Sequence, residues 1–313
     1  MVSKRPTVPR TDRQAAALAT MQARFPDVAR WFKRVYGLVL SEQVAVLAAF
    51  LESLDEPQRA ALARMGLGAA GVTRCFRAGG LERPLKAGLD ARLDFRYSVH
   101  PPEFVTVLAG GPDGHHVGLM YEDSEHPAWL VVENFARDDG TSSAIAGRGW
   151  SVVDGLVPLV NRHARDGLDT SALRSAIEAF ADVNQDIVTR EHATLRKTFV
   201  RLQTLDGCGP VLPPRVKALP TWPSKQARRA ALTSSDPIVM TWVETARREL
   251  EAKNPGLALM LGRDVWFLRC ELRQPAAFDL LVRAYQTIGR QPFADILLLH
   301  AAHRDLQSVD AYA

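Results

Sequence analysis

The chain has 313 residues, 47% apolar and 24% charged; this is the balance of a globular protein able to bury a sizeable core, and the length favours two structural units over one. A net charge of +4 spread among acids argues against a nucleic-acid partner. Three widely separated cysteines, Cys75, Cys208 and Cys270, fit neither a disulfide framework nor a paired-ligand zinc site and point to a reducing compartment. No apolar segment follows "MVSKRPTVPRTDRQ" and no run reaches the ~20 residues of a membrane helix, so the expected location is cytoplasmic, without a membrane partner.

After a polar lead, "DRQAAALATMQARF" and "SEQVAVLAAFLESL" carry helical spacing, with Val44, Leu47, Phe50 and Leu51 on one stripe and Ser41 as a cap. The next helix starts at Asp55 with Pro57 in its first turn and stops at Gly66. From Leu93 the period becomes extended: "LDFRYSV", "EFVTVLAG", "HVGLMY" and "AWLVVENF" read as antiparallel strands. Pro101 and Pro102 cannot donate to a ladder and mark a strand entry, while "GGPDG" supplies a hairpin turn.

"RDDGTSSAIAGRG" reads as a surface loop, and helix resumes near Trp150. Leu173, Ile177, Phe180, Ile187, Leu195, Phe199 and Leu202 then share one face of a long helix, or of two in line with a phase slip near Asn184. Prolines and glycines between Asp206 and Pro223 mark a linker. The last 80 or so residues read as helices opened by Asp236, Gly256, Pro275 and Pro292. The expected fold class is α+β: an N-terminal helical region (1–92), an antiparallel sheet of four to six strands with the long helix (93–205), a linker (206–223) and a helical C-terminal half (224–313).

No Walker A loop, GxSxG elbow, HExxH or strand-borne GxGxxG is present, so no stand-alone enzyme class is indicated. His115 and His116 alternate across a strand and cannot easily share a metal with His100 and His126, so turn-edge histidines are expected and no metal is assigned. Glu122, Asp123 and Glu125 read as a solvated strand end. Glu244, Glu249 and Glu251, among Arg247, Arg248 and Lys253, read as surface ion pairs of a helix. Trp222, Trp242 and Trp266 are expected as core or linker anchors.

The segment from Leu93 to Val131 resembles the sheet region of the histone PARylation factor family: Phe95, Arg96, Tyr97, then Pro101, Pro102, Glu103, Phe104, Thr106, and His116, Gly118, Asp123 and Pro127. The stretch from Gly256 to Asp305 resembles that family's closing helices at Gly262, Asp264, Ala284, Tyr285, Arg290, Phe293 and Ala294. The resemblance implies an accessory factor that binds an ADP-ribosyltransferase and gives it a carboxylate to act as general base on a serine hydroxyl. NAD is then held by the partner and no cofactor by this chain.

Family members place Asp-Glu before the glycine that opens the helix. An ungapped match puts Glu251 on the Asp and Ala252 on the Glu; one extra residue puts Glu251 on the Glu and Leu250 on the Asp. Glu251 is the expected general base, with Glu249, Arg263 and Asp264 expected to face the partner. Heavy Ala, Arg and Leu usage suggests a bacterial member. A hairpin entered by Pro-Pro-Glu-Phe also resembles the SMI1/KNR4 immunity proteins, which gives the alternative partner, a toxin neutralised by contact.

Overall fold

The structure, a computed structural model, describes residues 9–128, 130–145, 151–192, 200–213 and 222–313. Helix α1 (Asp12–Tyr36) begins in a capping box between Thr11 and Gln14. Helix α2 (Gln43–Ser53) has the backbone N–H of Gln43 bonded to Ser41 Oγ at 3.1 Å, and α3 (Glu56–Arg64) starts in a box between Asp55 and Gln58. Val44, Leu47 and Phe50 are buried, as their stripe predicts.

Among the described residues the main sheet has five strands in the order β1 (Leu67–Ala69), β2 (Phe104–Gly110), β3 (His115–Met120), β4 (Leu130–Phe135) and β5 (Ser142–Ala144), every pair antiparallel. The fold is therefore α+β. β2 and β3 form the hairpin expected from the prolines and "GGPDG": Pro101 and Pro102 precede β2, and Gly114 holds φ +74° in the turn. β1 and β5 are three-residue strands that carry no period of their own; the surface loop expected after Phe135 thus contributes an edge strand, and residues 146–150 of it lie outside the described residues.

The strand expected at 93–99 is not one. Ala91–Leu93 form a 3₁₀ turn and Phe95 adopts φ +50°, because the buried Arg96 guanidinium gathers this segment onto the carbonyls of Arg92 (2.9 Å), Pro101 (3.0 Å) and Phe104 (2.9 Å). Three neutral acceptors satisfy the buried cation.

Helices α4 (Val152–Arg165), α5 (Ser171–Glu178) and α6 (Ala181–His192) follow. α5 and α6 are separate because the chain breaks at Ala179–Phe180, where Phe180 turns edge-on to Phe50 with ring centroids 6.1 Å apart. Leu195 and Phe199 lie outside the described residues; Leu202 is not helical and follows β6 (Val200–Arg201), which pairs with β7 (Val211–Leu212).

The segment expected as a linker therefore opens as a buried hairpin: Asp206, Cys208 and Val211 are buried, and Ser142 N–H donates to Asp206 O at 2.7 Å, sealing the β5 edge. Residues 214–221 lie outside the described residues.

Helices α7 (Lys225–Ser234), α8 (Ile238–Glu251), α9 (Gly256–Phe267), α10 (Pro275–Thr287) and α11 (Gln291–Ala302) form the last layer. Gly262 lets α9 meet α10, since a Cβ there would collide with Leu281 and lie 2.9 Å from Ala277 O. Val105, Val107, Val117, Leu119 and Val131 join the large core with α1, α2 and α4, while Phe104, Met120, Val132 and Cys208 form a second cluster. No helix among the described residues is long and apolar enough to cross a membrane.

Candidate functional site

The charged residues of the family-like segments separate into a buried set and an exposed one. Glu103 closes the strand entry and is 1% exposed; its Oε2 accepts from Arg263 Nη1 at 2.6 Å and its Oε1 from the Tyr285 hydroxyl at 2.6 Å. Arg263 also donates to Asp206. Burial alone would weaken the guanidinium's hold on its proton, but Asp206 and Glu103 outweigh it and raise Arg263 above its ordinary range. Burial, then the Glu103 charge, raises the Tyr285 hydroxyl likewise.

Beside this network, Asp264 accepts from Arg228 Nε at 2.5 Å and from Leu205 N–H at 2.7 Å. Burial pushes its carboxyl up to about 6 against the pull of Arg228.

Arg263 and Asp264 are thus fully enclosed and touch no surface, which corrects their expected partner-facing role. α9 is apolar on every side, through Leu257, Leu259, Leu261, Val265 and Trp266, and that is the sequence sign of a helix wrapped by its neighbours. Their work is to pin α9 to the β2 entry and to the 203–206 segment.

The histidines form a second buried pair. His116 Nδ1 sits 2.7 Å from Gly114 O, and Tyr97 N–H donates to His100 Nδ1 at 3.2 Å. Those bonds assign the shared hydrogen of the 2.5 Å Nε2–Nε2 contact to His100, with both rings neutral. Burial lowers His100 well below its ordinary value and His116 to about 4. Trp266 Nε1 bonds His100 O at 2.9 Å, tying α9 to the same entry.

His115 faces the opposite side, stacked on Phe135 (4.4 Å) and 3.4 Å from Glu133. His115 and His116 are therefore buried strand residues and not turn-edge ones. Among the described residues no three His, Cys, Asp or Glu side chains converge as metal ligands.

The acidic trio also divides. Glu122 is buried against Arg201 at 2.5 Å, contrary to a solvated strand end. Asp123 is half-buried and closes its turn by accepting from the N–H groups of Glu125 and His126, each at 2.9 Å, and from His126 Nδ1. Glu125 is exposed. Gly118 lies under Phe104, leaving no room for a side chain. Trp266 is a core residue, and Trp222 packs on Trp242 at 6.0 Å.

Glu251 contrasts with all of these. It is the last residue of α8 and exposed, and no hydrogen bond or ion pair engages its side chain among the described residues. The backbone that carries it is fixed. Lys253 takes the left-handed conformation at φ +64°, its N–H bonding Leu250 O (2.9 Å), while Asn254 N–H bonds Glu249 O (2.8 Å). Half-buried Glu249 is held by Asn254 Nδ2 at 3.1 Å, and Glu244 pairs with Arg247 at 2.7 Å. The turn so presents one unpaired carboxylate on a rigid base. Such a group can accept a proton from a hydroxyl brought within about 3 Å, and the electrophile must come from elsewhere.

The molecule is thus an α+β protein with Glu103, Arg263 and Asp264 locked inside and an exposed carboxylate, Glu251, at the end of α8. No family model matches the chain. Histone PARylation factor 1 of Bos taurus is 24% identical over 314 residues, covering 92% of this chain and 90% of that protein. Histone PARylation factor 1 of Mus musculus is 23% identical with the same coverage. The likeness to histone PARylation factor 1 is thus low in identity but runs over nearly the full length of both chains.

Proposed function

We propose that this chain is an accessory factor of protein ADP-ribosylation, one that docks on an ADP-ribosyltransferase and completes its active site with the Glu251 carboxylate. The likeness to histone PARylation factor 1 over nine-tenths of both chains carries the reading. The exposed, unpaired Glu251 on a fixed turn supports it.

In this reading the partner holds NAD, and Glu251 takes the proton of the acceptor hydroxyl as its oxygen bonds to the anomeric carbon of the nicotinamide ribose and nicotinamide leaves, a step for which a serine is too weak a nucleophile unaided. Glu249, half-buried and bonded to Asn254, supports the partner-facing turn.

The test is capture of the tagged chain with its partners, followed by an NAD-dependent modification assay with the recovered transferase and residue-level mass spectrometry. Stimulation that shifts modification to serine and disappears in Glu251→Gln is the expected result. Recovery of a toxin of another chemistry, or stimulation unchanged in Glu251→Gln, overturns the reading.

A further inference from the structure

Residues 309–313 return across the molecule and seat in a cleft between the 3₁₀ turn Gly71–Phe76 and the segment 83–95. The backbone holds them there: Phe95 N–H donates to Val309 O at 2.6 Å, Lys86 N–H to Ala311 O at 2.9 Å, and Ala313 N–H to Pro84 O at 2.9 Å, around an antiparallel bridge between Leu85 and Tyr312.

Side chains close the clasp. Arg74 Nη1 lies 2.8 Å from Asp310 Oδ2, Arg83 reaches the same carboxylate at 3.7 Å and lies over the Tyr312 ring at 4.1 Å, and Lys86 Nζ donates to Asp310 O at 2.6 Å. Residues 305–308, which lead into the clasp, are exposed. Under it lies Asp94, 7% exposed, accepting from Ala311 N–H at 3.2 Å and sharing Arg74 with Asp310 at 3.9 Å.

We propose that residues 309–313 are a strap whose hold weakens as Asp94 ionises, seated more firmly in mild acid than above neutrality. The groups facing Asp94 are Arg74 and Cys75 from the 3₁₀ turn, Arg83 from the loop, Tyr36 from α1, and Asp310 and Tyr312 from the strap itself. Burial pushes the Asp94 carboxyl up to about 6, with Asp310 adding to it and the Ala311 N–H, Arg74 and Arg83 pulling back.

Part of that burial and the Asp310 charge arrive with the strap, as does the Ala311 N–H that pulls the other way, so the burial is what sets the sign. When the strap lifts, Asp94 returns toward the ordinary carboxylate value near 4. A group whose value is raised in the seated state holds a proton that the lifted state gives up. Its contribution to seating is therefore complete below about pH 4 and lost as pH rises through about 6. The gap of roughly two units sets an upper limit of about 100-fold on the change in the seating equilibrium.

Hydrogen exchange of the full chain, read by mass spectrometry at pH 5, 6, 7 and 8 and corrected for intrinsic exchange rates, tests this. Protection of segments 83–96 and 306–313 is expected to fall together by about 10-fold from pH 5 to pH 8, most of it between pH 5 and 6, while the β2–β3 hairpin keeps its protection. Asp94→Asn is expected to abolish the slope, and Asp310→Ala to lower protection of both segments at every pH while keeping it. Equal wild-type protection at pH 5 and 8, or an undiminished slope in Asp94→Asn, overturns the proposal. If Asp94→Asn does not fold, the wild-type profile decides: a fall largely complete by about pH 6.5 supports the strap, and a fall above that pH or none overturns it.

Discussion

Two acidic positions singled out by the family resemblance have opposite environments. Glu103 sits at the centre of the molecule with both oxygens engaged by Arg263 and Tyr285, and Glu251 stands at a helix end with neither engaged among the described residues. A buried carboxylate with both oxygens satisfied cannot serve an incoming group without dismantling its surroundings. An exposed one on a rigid turn can. The difference separates what these charges do for the fold from what they can do for a partner, and each half can be broken by itself.

The largest effect is expected from Arg263→Met. It strands Glu103 and Asp206 as uncompensated buried carboxylates, and breaking such a pair costs about 3–5 kcal/mol. Denaturant unfolding should show that loss. A loss under ~1 kcal/mol would mean that the interior network is not what fixes α9 to the sheet.

The histidine pair adds a pH dependence of similar size. His116 is held neutral to about 4 against an ordinary value near 6.5. Because its folded-state value is depressed, its contribution is fully present above about 6.5 and is lost as pH falls toward 4, up to about 3 kcal/mol; His100 adds in the same direction. Stability measured from pH 7 to pH 4 should fall, and His116→Gln should flatten the slope. Gly262→Ala ranks next: its new methyl would meet Leu281 and Ala277 O at the α9–α10 crossing, an overpacking cost of about 1–3 kcal/mol, readable as a lowered Tm.

Much of this fold is legible in the residues. Asp55, Gly66, Gly256, Pro275 and Pro292 mark helix ends, and the prolines with "GGPDG" frame the central hairpin, because capping and turn chemistry act over a few residues. β1 and β5 escape because three residues carry no period and pair only with what the rest of the chain offers. The extended pattern at 93–99 misleads because Arg96 binds three carbonyls that no local spacing announces.

The buried site is hidden for the same reason. Asp206 meets Arg263 and Arg228 meets Asp264 only after folding, so 206–223 reads as a linker and two core charges read as surface ones. The apolar flanks of Arg263 and Asp264 were the available signal.

The smallest stability effect and the sharpest functional one should coincide at Glu251. Glu251→Gln removes no hydrogen bond or ion pair among the described residues, so unfolding free energy should move by less than ~0.5 kcal/mol. The amide keeps the shape but cannot accept a proton as a base. On the proposed function, stimulation of the partner transferase should therefore fall by about 100-fold or more, the lower range for a lost general base, while binding to the partner is retained. Arg263→Met should do the reverse, weakening the fold and reducing stimulation only in proportion to the folded fraction. If Glu251→Gln instead lowered stability by several kcal/mol, the carboxylate would be structural and the contrast with Glu103 would collapse. If it left both stability and stimulation intact, the buried half of the comparison would stand and Glu251 would be an ordinary surface acid.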